Sequence, residues 1–339
     1  EDAAQRLIAA RRPAIVLGGG AVPGASHVAK VLAGTGAAVF TTYSGRGLVA
    51  DSYPLNLGAY LGRPDSAAFL AKADLVLVVG TELAEVDLWR TELGHEAPLV
   101  RVDLDPVELD HPMSDLAIRS DSAAFLGALA EALPEHGQSD WEAGEVAELR
   151  ARWRKETDAE RPGIVPVAHA LRAAVPEDTM IYSDMTKFAY AAKEVYPMDR
   201  PGHWHHPYGF GTLGYALPAA IGGKMGVGDQ PVIAILGDYG FQYTVQELAV
   251  AVELEMTLPI IIWDNGKLGE IEDSMVRAQI APNAVVQRNP DFLKLAEAYG
   301  AAAAEPADLD QFKAVIQTAL QAKGPTVIRV KSDIALTSS

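Results

Sequence analysis

The sequence has no cysteine among its 339 residues. Disulfides, thiolate metal sites and cysteine nucleophiles are therefore excluded. It has no apolar run of the roughly 18 residues a membrane span needs. Positive charge is scarce: 28 Lys and Arg stand against 45 Asp and Glu, a formal net charge of −17. Nucleic-acid affinity rests on basic side chains neutralising phosphates, so a nucleic-acid partner is excluded along with a membrane. The acidic balance suits a solvated surface. The opening residues Glu1-Asp2-Ala3-Ala4-Gln5-Arg6 lack a basic start and an apolar core, so they are no signal peptide, and a cytoplasmic location is expected. They already lie inside a helical pattern, which implies further sequence upstream.

What is present is an alternation of short apolar runs and helical patterns. In the first half, strands are predicted at Ala14–Gly18, Ala38–Thr42, Leu75–Gly80 and Pro98–Leu104. Helices fall at Ala25–Ala33, Ser66–Lys72 and Ser122–Leu133. Unbroken apolar strands separated by helices imply a parallel sheet covered on both faces. The polar stretch 136–160 reads as an exposed helix or linker. The second half repeats the pattern, with strands at Met180–Asp184, Val232–Leu236, Pro259–Trp263 and Thr326–Lys331. The predicted fold is α/β: two doubly wound parallel-sheet domains with helices on both faces, 1–135 and 161–339, joined by the linker.

Ligands of such folds sit at the carboxyl ends of the strands. Strand Val232–Leu236 runs into Gly237-Asp238-Tyr239-Gly240, and strand Pro259–Trp263 into Asp264-Asn265-Gly266. If the strands are neighbours, Asp238 and Asn265 share one rim. A hard divalent cation that prefers oxygen donors and ligand phosphates would suit that pair. The glycines let backbone N–H groups approach phosphate oxygens. Each motif alone is also an ordinary turn.

Gly-Asp-x-Gly, a helix, a strand and then Asn265 resembles the thiamine-diphosphate motif of the acetolactate synthase and pyruvate decarboxylase superfamily. Tyr239 stands where that family usually has Gly, and Asp264 where it has the first of two Asn. The resemblance implies thiamine diphosphate and Mg²⁺ as cofactors, with Asp238, Asn265 and the Lys267 carbonyl as metal ligands. Gly237, Tyr239, Gly240, Leu268 and Gly269 are expected to line the cofactor. The segment Gly209–Gly222 is similar to the family's stretch beneath the thiamine rings. There the Gly211 carbonyl would accept from the aminopyrimidine, and Leu213 would wedge the cofactor into its bent form. Ser183-Asp184-Met185-Thr186-Lys187 ends a strand and starts a helix, so Thr186 and Lys187 either touch the diphosphate or cap the helix.

By the same resemblance, 1–135 is the family's central domain and 161–339 its diphosphate-binding domain. The family's usual N-terminal pyrimidine-binding domain, which supplies the activating glutamate, is absent from these residues. It is expected either in a longer polypeptide or as a separate subunit, with the chain inactive alone. A homodimer or homotetramer is implied. The turn Gly18-Gly19-Gly20 resembles a dinucleotide fingerprint, but the second strand ends in threonines where an acidic ribose anchor would stand. A nicotinamide-dependent dehydrogenase is thereby disfavoured; relatives hold FAD, ADP or nothing there.

After Asn265, Glu270, Ile271 and Ser274 fall where relatives line the substrate pocket, and these three with His206 are the candidate catalytic residues. A carboxylate at Glu270 suggests a cationic tail, with Asp273 on the same helix face. Gly269-Glu270-Ile271 resembles the decarboxylases of 5-guanidino-2-oxopentanoate. The implied activity is non-oxidative decarboxylation of a 2-oxo acid; carboligation as in acetolactate synthase, or a cofactor-binding fragment needing a partner, are the alternatives. In His203-Trp204-His205-His206, adjacent histidines on a strand point to opposite faces, so they cannot all chelate one metal; His206 or Tyr208 would either line the pocket mouth or be interface or partly exposed residues.

Overall fold

The computed structural model describes residues 1–286 and 288–336, which divide into two compact units. The first comprises 1–156 with 198–202. Its strands are β1 (Pro13–Leu17), β2 (Ala38–Thr41), β3 (Asn56–Gly58), β4 (Leu75–Val79), β5 (Leu99–Asp103) and β6 (Leu116–Arg119). They pair in parallel in the order β3-β2-β1-β4-β5-β6. Alternate residues of the central strands feed separate cores: Ile15 and Leu17 join one, Ala14 and Val16 the other. Period-two alternation between two covered faces is why these strands are apolar throughout.

The stretch 136–160, expected as an exposed helix or linker, is largely the helix Ala143–Glu160, most of whose residues are exposed, and two tryptophans tie the stretch to the first unit. Trp141 and Trp153 are buried in the first unit's core, where the Trp141 ring stacks on Phe69 at 4.5 Å between centroids. Its indole N–H donates to the Pro13 carbonyl at 2.8 Å. Two tryptophans outweighed many charges, because aromatic rings dominate burial energetics while charged side chains can ring them at the surface. The division between units falls inside the helix Ala143–Glu160, after Glu156.

The glycine turn after β1 packs on the turn after β4. Gly18 N donates to Val79 O at 2.9 Å and Gly20 N to Gly80 O at 2.9 Å. A side chain at Gly18 or Gly20 would run into the Gly80 backbone. These glycines thus serve close backbone packing within the sheet end.

The second unit comprises 157–197 and 203–339. Its strands are β7 (Met180–Ser183), β8 (Trp204–His205), β9 (Val232–Gly237), β10 (Leu258–Asp264), β11 (Ala302–Ala304) and β12 (Pro325–Lys331). All pair in parallel, in the order β11-β12-β10-β9-β7-β8. The sequence order reverses between β7 and β9, the switch point at which open α/β sheets place their ligands. The register sets Trp263 beside Gly237 and Ser183 beside Ile235. The carboxyl ends of β7, β9 and β10 therefore form one continuous rim. Among the described residues, no helix is long and apolar enough to cross a membrane.

Candidate cofactor and substrate site

The rim begins at Asp184, directly after β7. Its buried carboxylate accepts from Gly214 N at 2.8 Å and Ala216 N at 2.6 Å. Burial pushes its pKa up to about 6, although these backbone donors pull the other way. The anchored turn needs left-handed backbone at Gly211 (φ 69°) and Gly214 (φ 80°). That turn carries Leu213 to the rim. Thr186 follows at the N-cap of the helix Lys187–Val195, without a side-chain capping bond. Its hydroxyl would lie 3.3 Å from a Cβ at Gly237, which fits the absence of a side chain there.

At the end of β9, Asp238 is 2 % exposed. Its Oδ2 accepts from Asn289 Nδ2 at 2.7 Å, and the same amide donates to Asp264 Oδ1 at 3.0 Å. Burial, reinforced by the Asp264 charge, pushes the Asp238 pKa up to about 6 despite that amide bond. Asp264 is held as a carboxylate partner by Arg329, with contacts of 2.7 Å from Nε and 2.6 Å from Nη2. Arg329 also bonds Glu305 at 2.8 Å. The negative charge that replaces an amide at position 264 is thus matched by a guanidinium from β12.

Asn265 Oδ1 accepts from Lys267 N at 3.3 Å across the turn at Gly266, whose φ is 69°. Leu268 N then donates to Val285 O at 2.8 Å, and the Tyr239 hydroxyl donates to the same carbonyl at 3.3 Å. Tyr239, large where the family usually has glycine, therefore braces the backbone at Val285.

These segments enclose a cavity of about 190 Å³. The β7 segment contributes Met185, Thr186, Lys187 and Tyr190, and the turn before the Ala216–Val227 helix contributes Gly211 and Leu213. From β9 come Gly237, Asp238, Tyr239 and Gly240. From β10 come Asn265, Lys267, Leu268 and Gly269, followed by Glu270 and Ile271. Residues picked from four separate stretches of sequence are thus brought around one space. Among the described residues, no three His, Cys, Asp or Glu side chains gather as a metal cluster. A cation at Asp238 would have to draw on amide and carbonyl oxygens and on the ligand's own phosphates, which is the Mg²⁺ manner of binding.

Several candidates sit differently from expectation. Ser274 does not line the cavity; it is exposed and accepts from Arg277 Nη2 at 3.0 Å. One helical turn past Glu270 carries its side chain off the rim. His206 is buried behind Met185, with Nε2 at 3.0 Å from the Met185 sulfur and Nδ1 at 2.9 Å from Ser183 Oγ. It supports the wall and does not reach the cavity; nor is Tyr208 among the lining residues. Lys187 lines the cavity, with its ammonium on Asp273 at 2.6 Å. Glu270 is already engaged: Arg161 grips both its oxygens, at 2.9 Å from Nε and 3.2 Å from Nη2.

Asp184, Asn289, Arg161 and Arg329 escaped the reading of the sequence. Asn289 and Arg329 lie 51 and 65 positions from their partners Asp238 and Asp264, and no local spacing reports such contacts. Asp184 stood in a segment already singled out, where a buried acidic residue at a strand end was the available signal.

The chain matches two family descriptions: "Thiamine pyrophosphate enzyme, central domain" over residues 1–129 and "Thiamine pyrophosphate enzyme, C-terminal TPP binding domain" over residues 184–330. It is 40% identical over 332 residues to a probable 2-ketoarginine decarboxylase of Pseudomonas aeruginosa, covering 97% of this chain and 59% of that protein. It is 27% and 29% identical to the large subunits of acetolactate synthase isozymes 1 and 2 of Escherichia coli, covering 98% of this chain and 60% and 62% of theirs. The chain therefore spans about 60% of the length of these relatives. It belongs to the thiamine pyrophosphate enzymes, of which it carries the central domain and the C-terminal cofactor-binding domain.

Proposed function

We propose that this chain holds the diphosphate of thiamine diphosphate through Mg²⁺ on the rim of its second unit, and serves the non-oxidative decarboxylation of a 2-oxo acid with a guanidino tail. The observation that carries the reading is the convergence of Asp238, Asn265, Leu213 and Glu270 on one cavity at the ends of three adjacent strands. The donor chemistry fits. A carboxylate, an amide oxygen and the Lys267 carbonyl are hard oxygen ligands, and burial leaves Asp238 charged only at a cost that a cation would relieve. Gly237 and Gly240 keep the adjoining backbone bare.

When bound, thiamine diphosphate would supply the electron-sink chemistry that decarboxylation needs. The chain's own residues do the positioning. Asp238, Asn265 and the Lys267 carbonyl would hold the metal, and Thr186 would meet the phosphates at the start of a helix whose dipole favours anions, with Lys187 beside it on Asp273. Leu213 lines the cavity from the turn that Asp184 pins, where it would press on the bound cofactor. Leu268 and Met185 keep the reacting region apolar, and Ile271 stands half exposed at its edge. Glu270 reads the tail of the substrate.

The relatives' additional length supports assigning the aminopyrimidine ring and its activation to a domain outside these residues, in the same polypeptide or a partner subunit. A carboligase is the second reading, favoured by the acetolactate synthase relatives. The test is a titration of the chain with thiamine diphosphate in Mg²⁺ and in EDTA, followed by calorimetry. Saturable, metal-dependent binding is expected. Its absence, even with the relatives' N-terminal domain supplied, would sink the reading. Product analysis on a guanidino 2-oxo acid and on pyruvate then separates decarboxylase from carboligase.

A further inference from the structure

The wall of the cavity at Glu270 already contains a guanidinium. Arg161 approaches Glu270 with the two-pronged geometry that a guanidino ligand would use, Nε at 2.9 Å and Nη2 at 3.2 Å. Its guanidinium carbon lies 5.8 Å from the centre of the Tyr190 ring, within cation–π range, and Tyr190 lines the cavity. The two side chains are 19 % and 23 % exposed, so the pair is largely withdrawn from water. Two more carboxylates act on Arg161: Glu160 at 3.4 Å and, through its charge, Glu194.

We infer that Arg161 is an internal competitor for the cation-reading carboxylate, and that it sets the pocket's selectivity between charged and neutral tails. The inference rests on the reading of Glu270 given above. A second guanidinium cannot take the face of Glu270 that Arg161 holds, and sharing the carboxylate would bring two like charges together. A cationic tail therefore binds by exchange. It takes Glu270 and Tyr190, while Arg161 keeps its contact with Glu160 at 3.4 Å and the attraction of Glu194, which Thr157 also bonds at 2.8 Å. A neutral tail leaves the Arg161–Glu270 pair in place and binds beside it without exchange, so the pair penalises the cationic tail alone.

The experiment measures affinity of the holoenzyme, loaded with thiamine diphosphate and Mg²⁺, for two unreactive probes, 5-guanidinopentanoate and 5-ureidopentanoate. These have similar shapes and differ in charge. Wild type should prefer the guanidino probe, and Glu270→Gln should abolish the preference. Arg161→Gln removes the competitor and should raise the guanidino-to-ureido affinity ratio about tenfold, the order of one charge-assisted bond. An unchanged or lower ratio overturns the inference and leaves Arg161 as a brace for Glu270. If Arg161→Gln does not fold, Arg161→Lys decides: it keeps the charge, loses the fork and should raise the ratio about threefold by weakening the internal pair, and no rise overturns the inference. A wild type indifferent to tail charge, or a preference that survives Glu270→Gln, instead removes the cationic-tail reading itself.

Discussion

The carboxylate of Asp184 fills the space that a side chain at position 240 would need. The sequence implies a bare backbone for phosphate at Gly240, but its missing side chain first serves this carboxylate, which pins Gly214 and Ala216 and with them the Leu213 turn. Gly240→Ala should therefore destabilise the chain by about 2–4 kcal/mol, combining overpacking with loss of buried hydrogen bonds. Urea unfolding of Gly240→Ala, Asp184→Ala and the double variant checks this. The double variant should cost less than the two singles summed, since the extra methyl then fits. Strict additivity would mean that the two positions do not compete for space.

Asp238 links stability to function through its proton. Its pKa stands near 6 in the folded chain against an ordinary value of 3.8. A carboxyl raised in this way favours the folded state fully below about pH 4, and that contribution is lost as pH climbs through about 6. Asp184 acts in the same direction. Asp238→Asn should therefore stabilise the ligand-free chain by roughly 1–3 kcal/mol at pH 8 and by little at pH 4. The same variant should weaken Mg²⁺-dependent cofactor binding by about a hundredfold or more. Thermal unfolding against pH, with and without cofactor and Mg²⁺, reads both effects. Equal stability of variant and wild type at pH 8 would contradict the strain assigned to Asp238.

Asp264 and Arg329 should behave as one unit. Arg329→Met leaves a buried carboxylate beside Asp238 with, among the described residues, Asn289 and Gly266 to satisfy it, at a cost of about 3–5 kcal/mol. Adding Asp264→Asn removes the stranded charge and should recover most of that loss. Asp264→Asn alone leaves Arg329 with Glu305 and should cost about 1 kcal/mol. Chemical denaturation of the four proteins closes the cycle. No recovery in the double variant would show that Arg329 acts by packing and not by charge.

The strand ends were legible because two covered faces force apolar strands, and glycine with a polar residue marks where such a strand meets the rim. Gly237-Asp238 and Asn265-Gly266 carry both signals, and the parallel order β10-β9-β7 brings them together as the pattern implied. What stayed hidden was tertiary. Edge strands such as β6, whose burial alternates along Leu116–Arg119, and the three-residue β11 lack the long apolar run that betrays a central strand. The Trp141 and Trp153 anchors were masked by the charges around them. Ion pairs such as Arg161 with Glu270 bridge 109 positions and leave no periodic trace. The carboxylate at 270 was visible as a charge, but its occupancy could only come from the fold.

Lys187 is the remaining choice between a phosphate contact and local structure. Its ammonium bonds Asp273 at 2.6 Å, and this partner holds the Asp273 pKa below the usual carboxylate range. Yet the side chain also faces the cavity at the N-terminus of its own helix. If Lys187 meets the diphosphate, Lys187→Met should weaken thiamine diphosphate binding about tenfold, the order of one charge-assisted hydrogen bond. Asp273→Asn should then strengthen binding or leave it unchanged, because it releases the ammonium toward the ligand. The loss in Lys187→Met should shrink as salt rises, since the residue is partly exposed and screening reaches it. Cofactor titrations of both variants at low and high ionic strength decide the matter: matching losses in the two would assign Lys187 to the pairing of Asp273 alone.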